Sequence, residues 1–221
     1  MSNVITEQLT RAGQKIEHDS FSIVDQEVGA HSYQSDQWQI VRRMIHATAD
    51  FEFNGLVKFH PDAITAGVNA LNNGTNIIAD VEMICVGLSK PRLNHFGVKI
   101  HHFISDDDVI TQAKAENTTR AVQAMRKAQN LNLLDNAIIA VGNAPTALIE
   151  ITDMIKNKKI KPALIVGMPV GFVSAAESKE ITHALTDIPW IITEGRKGGS
   201  TLVVAAIHAL LAIAESSQKK N

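Results

Sequence analysis

The chain has 221 residues, of which 45% are hydrophobic and 20% charged, a composition typical of a globular protein and not of a disordered one. Its 21 basic and 23 acidic side chains give a formal net charge of −2, which argues against a nucleic-acid partner because such proteins need a basic face. The single cysteine, Cys85, excludes an intrachain disulfide and a CxxC zinc site, and it fits a reducing, cytoplasmic location. The length suits one α/β domain over residues 1–221, with a frayed polar tail at 215–221.

The first third of the chain has the spacing of helices. Helical patterns cover residues 6–21, 35–50 and 61–72, and Ser35 is the expected N-cap of the second helix. Pro61 is expected in the first turn of the third helix, which an Asn-Asn-Gly run ends. The start of the chain lacks the basic residues and the apolar run of a signal peptide.

From residue 76 onward, short β-branched runs alternate with helical patterns. The predicted strands are residues 76–79, 98–104, 137–141, 163–166 and 190–193. The predicted helices are residues 81–88, 106–128, 146–156, 174–185 and 200–214. Capping boxes are expected from Ser105 with Asp108 and from Ser174 with Glu177. The alternation predicts an α/β fold, in which a parallel five-stranded sheet has helices on both faces and additional N-terminal helices.

The most apolar late stretch, residues 202–214, is interrupted by His208 and is too short to span a bilayer. We therefore expect a buried helix at this position, and no membrane association.

Three glycine-rich loops follow predicted strands, at residues 142–146, 167–172 and 195–200. Ligands of parallel sheets collect at this edge, where glycine permits close approach and helix N-termini present N–H groups to anions. The third loop adds Arg196 and Lys197, which makes it the best anion site. Tight turns alone would explain one such loop, but three at one edge favour a ligand site. The chain lacks the GxGxxG, P-loop, GxSxG and HExxH motifs.

His46 has the most informative surroundings of the histidines. Arg43 lies three residues before it, on the same face of the predicted helix. Such a face could hold an anionic substrate while the imidazole donates a proton near neutral pH. The alternative is a half-buried histidine bonded to a carbonyl, which the residues alone favour. No histidine pair has the spacing of a metal site, and Asp80 and Glu82 are further candidates for orienting a substrate or His46.

Four segments occur together in the order and spacing of a known family. They are residues 43–47 (RMIHA), 142–148 (GNAPTAL), 167–173 (GMPVGFV) followed by 175–179 (AAESK), and 195–200 (GRKGGS). With them, the chain resembles the precorrin-8X methylmutases, or precorrin isomerases, of cobalamin biosynthesis over nearly its whole length. One departure is Ser174, which stands where the family has glycine.

The resemblance implies an isomerase that binds a tetrapyrrole macrocycle bearing many carboxylates. It implies the transfer of one methyl group on ring C from carbon eleven to carbon twelve, giving hydrogenobyrinate, or cobyrinate when the ring carries cobalt. The implied fold is α/β with a parallel sheet, and the implied assembly is a homodimer. No separate cofactor is implied, so any cobalt belongs to the substrate.

The resemblance also implies roles for individual residues. His46 matches the family's proton donor, Arg43 matches a substrate contact, and Ser20 matches a serine of the first helix that also contacts substrate. The further candidates for substrate binding are Arg120, Asn143, Arg196, Gly198, Gly199 and Ser200.

Two alternative functions stay open at this point. A non-catalytic corrinoid carrier would use the same anion contacts but would not need His46. A nucleotide or sugar-phosphate enzyme would rest on fold analogy alone. The sequence also leaves open whether the natural substrate carries cobalt.

Overall fold

The computed structural model describes residue 8 and residues 10–218. The helices in this part of the chain are α1 (Arg11–Glu27), α2 (Ser35–Thr48), α3 (Phe53–Leu56), α4 (Ala63–Asn72), α5 (Glu82–Gly87), α6 (Lys90–His95), α7 (Asp107–Ala115), α8 (Arg120–Asn130), α9 (Pro145–Lys156), α10 (Ala175–His183) and α11 (Ser200–Gln218). The strands are β1 (Val57–Phe59), β2 (Ile77–Ala79), β3 (Ile100–His101), β4 (Ile138–Val141), β5 (Leu164–Gly167) and β6 (Trp190–Thr193).

The strands form one sheet in the order β1-β6-β5-β4-β2-β3. The five predicted strands, β2 to β6, are all present and mutually parallel, which confirms the α/β prediction. The predicted strand count was wrong, because β1 adds a sixth strand that runs antiparallel to β6, with Val57 opposite Thr193.

Successive residues of the central strands face opposite sides of the sheet, and helices cover both sides. Ile138 and Ala140 of β4 pack in the same core as α2, α4 and α11. Ile139 and Val141 pack in a second core with α8 and α9. The predicted helices on both faces are therefore confirmed, and the carboxyl ends of β4, β5 and β6 share one edge of the sheet.

The last helix is longer than the sequence pattern predicted. Helix α11 has 19 residues and is long and apolar enough to cross a membrane. The prediction that this part of the chain is too short to span a bilayer was therefore wrong. However, 67% of its most apolar window is buried within the protein, which makes α11 a core helix.

The predicted frayed tail was also wrong where the structure describes it. Residues 215–218 continue α11, and Glu215 is buried. Its Oε1 accepts a hydrogen bond of 2.8 Å from Nε of Arg92, which is itself only 2% exposed. This distant partner neutralises the carboxylate and lets a polar sequence continue a core helix. Residues 219–221 of the predicted tail lie outside the described residues.

Several predicted helix boundaries differ from the observed ones. The segment 106–128 divides into α7 and α8, separated by Asn117 with φ of 53°. Neither expected capping box forms, since the N-caps Asp106 and Ser174 make no side-chain capping bond. Ser174 has φ of 59°, a left-handed conformation that suits the glycine usual in the family.

The N-terminal helices are present with shifted ends. Helix α1 begins at Arg11, and residues 6, 7 and 9 of the predicted helix lie outside the described residues. Helix α2 is capped by Gln34, whose side chain and that of Gln37 form a capping box, so Ser35 is the first helical residue. Pro61 precedes α4, which begins at Ala63.

Candidate active site

The three glycine-rich loops meet at the carboxyl edge of the sheet. The N–H of Gly199 donates to the carbonyl of Met168 over 2.8 Å, which joins the third loop to the second. A Cβ atom on Gly198 would lie 2.3 Å from the same carbonyl oxygen, and one on Gly142 would lie 2.6 Å from Cα of Ser200. Contacts this short exclude any side chain, so glycine is required at both positions for the loops to meet.

The loop after β4 is held by Asp80, which is fully buried. Its carboxylate accepts hydrogen bonds from the N–H groups of Gly142, Asn143 and Ala144 at 3.0, 2.8 and 2.7 Å. Burial raises the pKa of the Asp80 carboxyl, and the three N–H donors oppose this change. Asp80 therefore organises a loop, while Glu82 lies exposed in the first turn of α5.

The third loop is also tied to the segment that follows α2. The ammonium of Lys197 pairs with Asp50 and lies 2.8 Å from Oε2 of Glu52. These bonds raise the pKa of Lys197, and the same contact lowers the pKa of Asp50. Lys197 is thus engaged within the protein, and its ion pairs bring this loop close to the end of the helix that carries His46.

His46 and Ser20 line one cavity of about 290 Å³ between α1 and α2. The His46 ring is exposed and meets Phe21 edge-on, with 5.1 Å between the ring centroids. The described part of the chain offers the ring no hydrogen bond, so the alternative of a carbonyl-bonded histidine is wrong. The Ser20 hydroxyl donates to the carbonyl of Ile16 over 2.7 Å and keeps acceptor capacity toward the cavity.

Arg43 lies beside this cavity and is not among its lining residues. Its guanidinium lies 3.0 Å from Oε1 of Glu17 and 5.6 Å from the centre of the Phe21 ring. Arg42 pairs with Asp25 at 2.8 Å and lies 4.6 Å from the same ring centre. Acidic residues of α1 therefore pair with the arginines of α2, and both guanidinium groups lie near one aromatic ring of α1.

The remaining candidates lie around the loops. Arg196 is exposed, with its guanidinium 5.5 Å from the ring centre of Phe172. Asn143 is exposed, and Ser200 is the buried first residue of α11. Arg120 begins α8, next to Thr119, whose hydroxyl lies 2.9 Å from that of Thr146 at the start of α9. Arg120 is not one of the described residues that line the His46 cavity.

Comparison with known proteins shows the family of the chain. The family model of precorrin-8X methylmutase matches residues 15–213. The chain belongs to that family. A cobalt-precorrin-8 methylmutase of Leptospira interrogans is 54% identical over 209 residues, covering 92% of this chain and 95% of that protein. A cobalt-precorrin-8 methylmutase of Priestia megaterium is 49% identical over 208 residues, covering 94% and 91%.

A solved structure of a precorrin-8X methylmutase from Thermus thermophilus superposes with a TM-score of 0.87 at 48% identity, covering 92% of this chain and 97% of that chain. The resemblance drawn from the four sequence segments is therefore confirmed. The protein is an isomerase, a methylmutase that acts on a corrinoid precursor in cobalamin biosynthesis.

One polar residue of this methylmutase, Lys179, ends the AAESK segment of the family but was not predicted to take part in the site. It is only 1% exposed, although it lies behind the third loop on the buried face of α10. Its Nζ donates to the carbonyl of Lys197 at 2.9 Å and to the hydroxyl of Thr193 at 3.3 Å. Burial lowers its pKa to about 8. The available signal was its position four residues after Ala175, on the buried face of the helix.

Proposed function

We propose that this methylmutase moves one methyl group on ring C of precorrin-8X or cobalt-precorrin-8 from carbon eleven to carbon twelve. The product is hydrogenobyrinate, or cobyrinate when the ring carries cobalt. The observation that carries the proposal is the exposed imidazole of His46, which faces a cavity together with Ser20 beside two arginines. Two relatives named for the cobalt form, at 54% and 49% identity, favour the cobalt-carrying substrate.

His46 is the proton donor in this proposal. The rearrangement has no second reactant, so catalysis must come from positioning the macrocycle, protonating it and stabilising the rearranged ring. An imidazole is suited to donate a proton near neutral pH, and donation close to ring C lowers the barrier to methyl migration. The hydroxyl of Ser20, in the same cavity, contacts the macrocycle beside it.

The carboxylate arms of the macrocycle are held by cations and backbone donors around the site. Arg43 and Arg196 offer planar guanidinium groups that match a carboxylate with two hydrogen bonds. The third loop offers the N–H groups of Gly198 and Ser200, at the start of a long helix whose dipole favours an anion. Gly199 contributes through its backbone position, because its N–H is already bonded to Met168. Asn143 and Arg120 are proposed to hold arms that extend further along the sheet edge.

The proposal also covers the cofactor, the assembly and the location of the protein. The reaction is intramolecular and needs no separate cofactor, and any cobalt enters and leaves within the substrate. We assign a homodimer in the cytoplasm, without a nucleic-acid or membrane partner. Support comes from the near-neutral charge, the buried α11, and the apolar side chains Phe172 and Val173, which are 85% and 82% exposed beside the glycine loops.

The variant His46→Ala tests the proton-donor role. General acid catalysis contributes roughly a hundredfold or more, so turnover should fall by about that factor while macrocycle binding persists. The absorbance spectrum of the macrocycle follows both quantities, with precorrin-8X and its cobalt form offered side by side. His95→Ala, at an exposed histidine that ends α6, is the matched control and should keep full turnover.

Two outcomes would contradict the proposal. Turnover of His46→Ala at the wild-type rate would remove the proton donor. If the wild-type protein binds the macrocycle without any spectral conversion, the alternative function of a non-catalytic corrinoid carrier would be favoured.

A further inference from the structure

Lys179 is a buried cation without an acidic partner. Its ammonium lies among the carbonyl of Lys197, the hydroxyl of Thr193 and the packed residues of α10, and the described residues place no carboxylate in ion-pair contact with it. Burying an ammonium without a counter-ion costs several kcal/mol, and an apolar side chain would avoid that cost. A residue retained at such a cost needs a local reason, and its two hydrogen bonds supply one.

Two hydrogen bonds, one from Lys179 and one from Thr193, converge on one carbonyl of the third glycine loop. Lys179 donates to the Lys197 carbonyl at 2.9 Å, and the Thr193 hydroxyl donates to the same oxygen at 2.7 Å. Thr193 is the last residue of β6, so the two donors approach from a helix and from a strand. The Lys197 carbonyl is therefore fixed toward the interior of the protein.

This fixed carbonyl determines the direction of the next N–H group. The Lys197–Gly198 peptide bond is trans, so its C=O and N–H point in opposite directions. With the carbonyl turned inward, the N–H of Gly198 points away from Lys179, and no acceptor among the described residues takes it. The side chain of Lys197 is held by Asp50 and Glu52, which adds a second restraint on this loop.

We propose that Lys179 is a positioning residue, whose hydrogen bond to the Lys197 carbonyl holds the Gly198 N–H and the start of α11 toward a carboxylate arm of the substrate. The inference rests on the proposed function, because it assigns the loop to substrate binding. Lys179 itself does not touch the substrate. Its positive charge behind the loop also adds to the attraction for an anionic macrocycle.

The variant Lys179→Met tests this role, because it keeps the length of the side chain and removes both the charge and the donor. Losing one charge-assisted hydrogen bond that orients a binding group should raise KM about tenfold. The value of kcat should change little, since the loop acts on binding and not on protonation. Thr193→Val, which removes the second donor with no change in shape, should raise KM about threefold.

Thr182→Val is the matched control for a loss of stability. Thr182 is buried on the same helix, and its hydroxyl bonds to Ser178 and lies near Thr152, away from the third loop. It should lower the melting temperature and leave KM unchanged. If Lys179→Met does not fold, Thr193→Val decides the question alone.

The overturning results are distinct from a failure of the proposed function. A wild-type KM in the folded variants, or an equal rise of KM in Thr182→Val, would show that the cluster only stabilises the fold. Titration of the wild-type protein with cobyrinate or hydrogenobyrinate, followed by absorbance, separates the two proposals. If the wild-type chain binds neither of these products and converts neither precorrin-8X nor cobalt-precorrin-8, the proposed function fails as well.

Discussion

At the scale of single residues, several cations near the site already have acidic partners. Arg43 faces Glu17, and Lys197 faces Asp50 and Glu52. Arg196 differs, because in the described part of the chain it contacts an aromatic ring and forms no ion pair. Positive and negative side chains are thus balanced near the site, as they are over the whole chain. A carboxylate arm of the substrate that binds Arg43 must therefore compete with Glu17.

Replacement of Arg43 by alanine should weaken macrocycle binding by about tenfold, the loss of one charged hydrogen-bonding group. Arg42→Ala is the matched control, since Arg42 lies on the same helix, contacts the same Phe21 ring and pairs with Asp25. Absorbance titration with cobyrinate gives both dissociation constants. An unchanged constant for Arg43→Ala, or an equal change for Arg42→Ala, would remove Arg43 from the site.

The positions of the candidate site residues were predictable where the signal is local. Arg43 and His46 share a helix turn, and the glycine loops follow parallel strands whose carboxyl ends share an edge. The partners of Glu17, Asp80 and Lys179 were beyond prediction for one physical reason. Each acts through a partner that is distant in the chain, and no periodic pattern records such a pairing.

At the scale of elements, α11 shows how a tertiary contact extends a helix beyond its apolar pattern. The pattern ends at Ala214, but the buried pair of Arg92 and Glu215 carries the helix through to Gln218. Strand β1 was missed for the opposite reason, since its three residues pair with β6 through backbone bonds that any sequence can form. The long periodic elements and the short strands β2 and β3 were predicted, whereas the short elements α3, β1 and α6 were not.

The variant Glu215→Gln should lower the free energy of unfolding by about 3 kcal/mol, because it removes the carboxylate beside a buried guanidinium. Urea unfolding measures this change. The double variant Glu215→Gln with Arg92→Met should recover much of the loss, since no buried charge is then left without its counter-ion. A loss below about 0.5 kcal/mol in the single variant would mean that the pair behaves as an ordinary surface salt bridge.

At the scale of the whole molecule, His208 makes stability depend on pH. It is 8% exposed on α11, and its Nε2 accepts a hydrogen bond of 3.2 Å from the N–H of Ser89. Burial lowers the pKa of His208 to about 4 from its usual 6.5. The unfolded chain therefore binds a proton between these values while the folded chain does not, so stability falls as the pH falls through that window.

We expect His208 to lower the free energy of unfolding by roughly 3 kcal/mol as the pH falls from 6.5 to 4. Above pH 6.5 this group should cause no change. Urea unfolding at a series of pH values measures it. His208→Gln lacks the titrating group and should show a shallower decline over the same range. Equal slopes in the two proteins would assign the acid sensitivity to other residues.

The pairing of β1 with β6 and of Asp50 with Lys197 also affects how the chain folds during its synthesis. Asp50 and Lys197 are 147 residues apart, which corresponds to roughly 7–30 s of synthesis at about 5–20 residues per second. Over that interval α2 has left the ribosome without α11, and its apolar side chains Val41 and Met44 lack the core in which they are finally buried. The N-terminal third must therefore stay soluble as a partly folded segment, within reach of chaperones, until the last strand and helix have been translated.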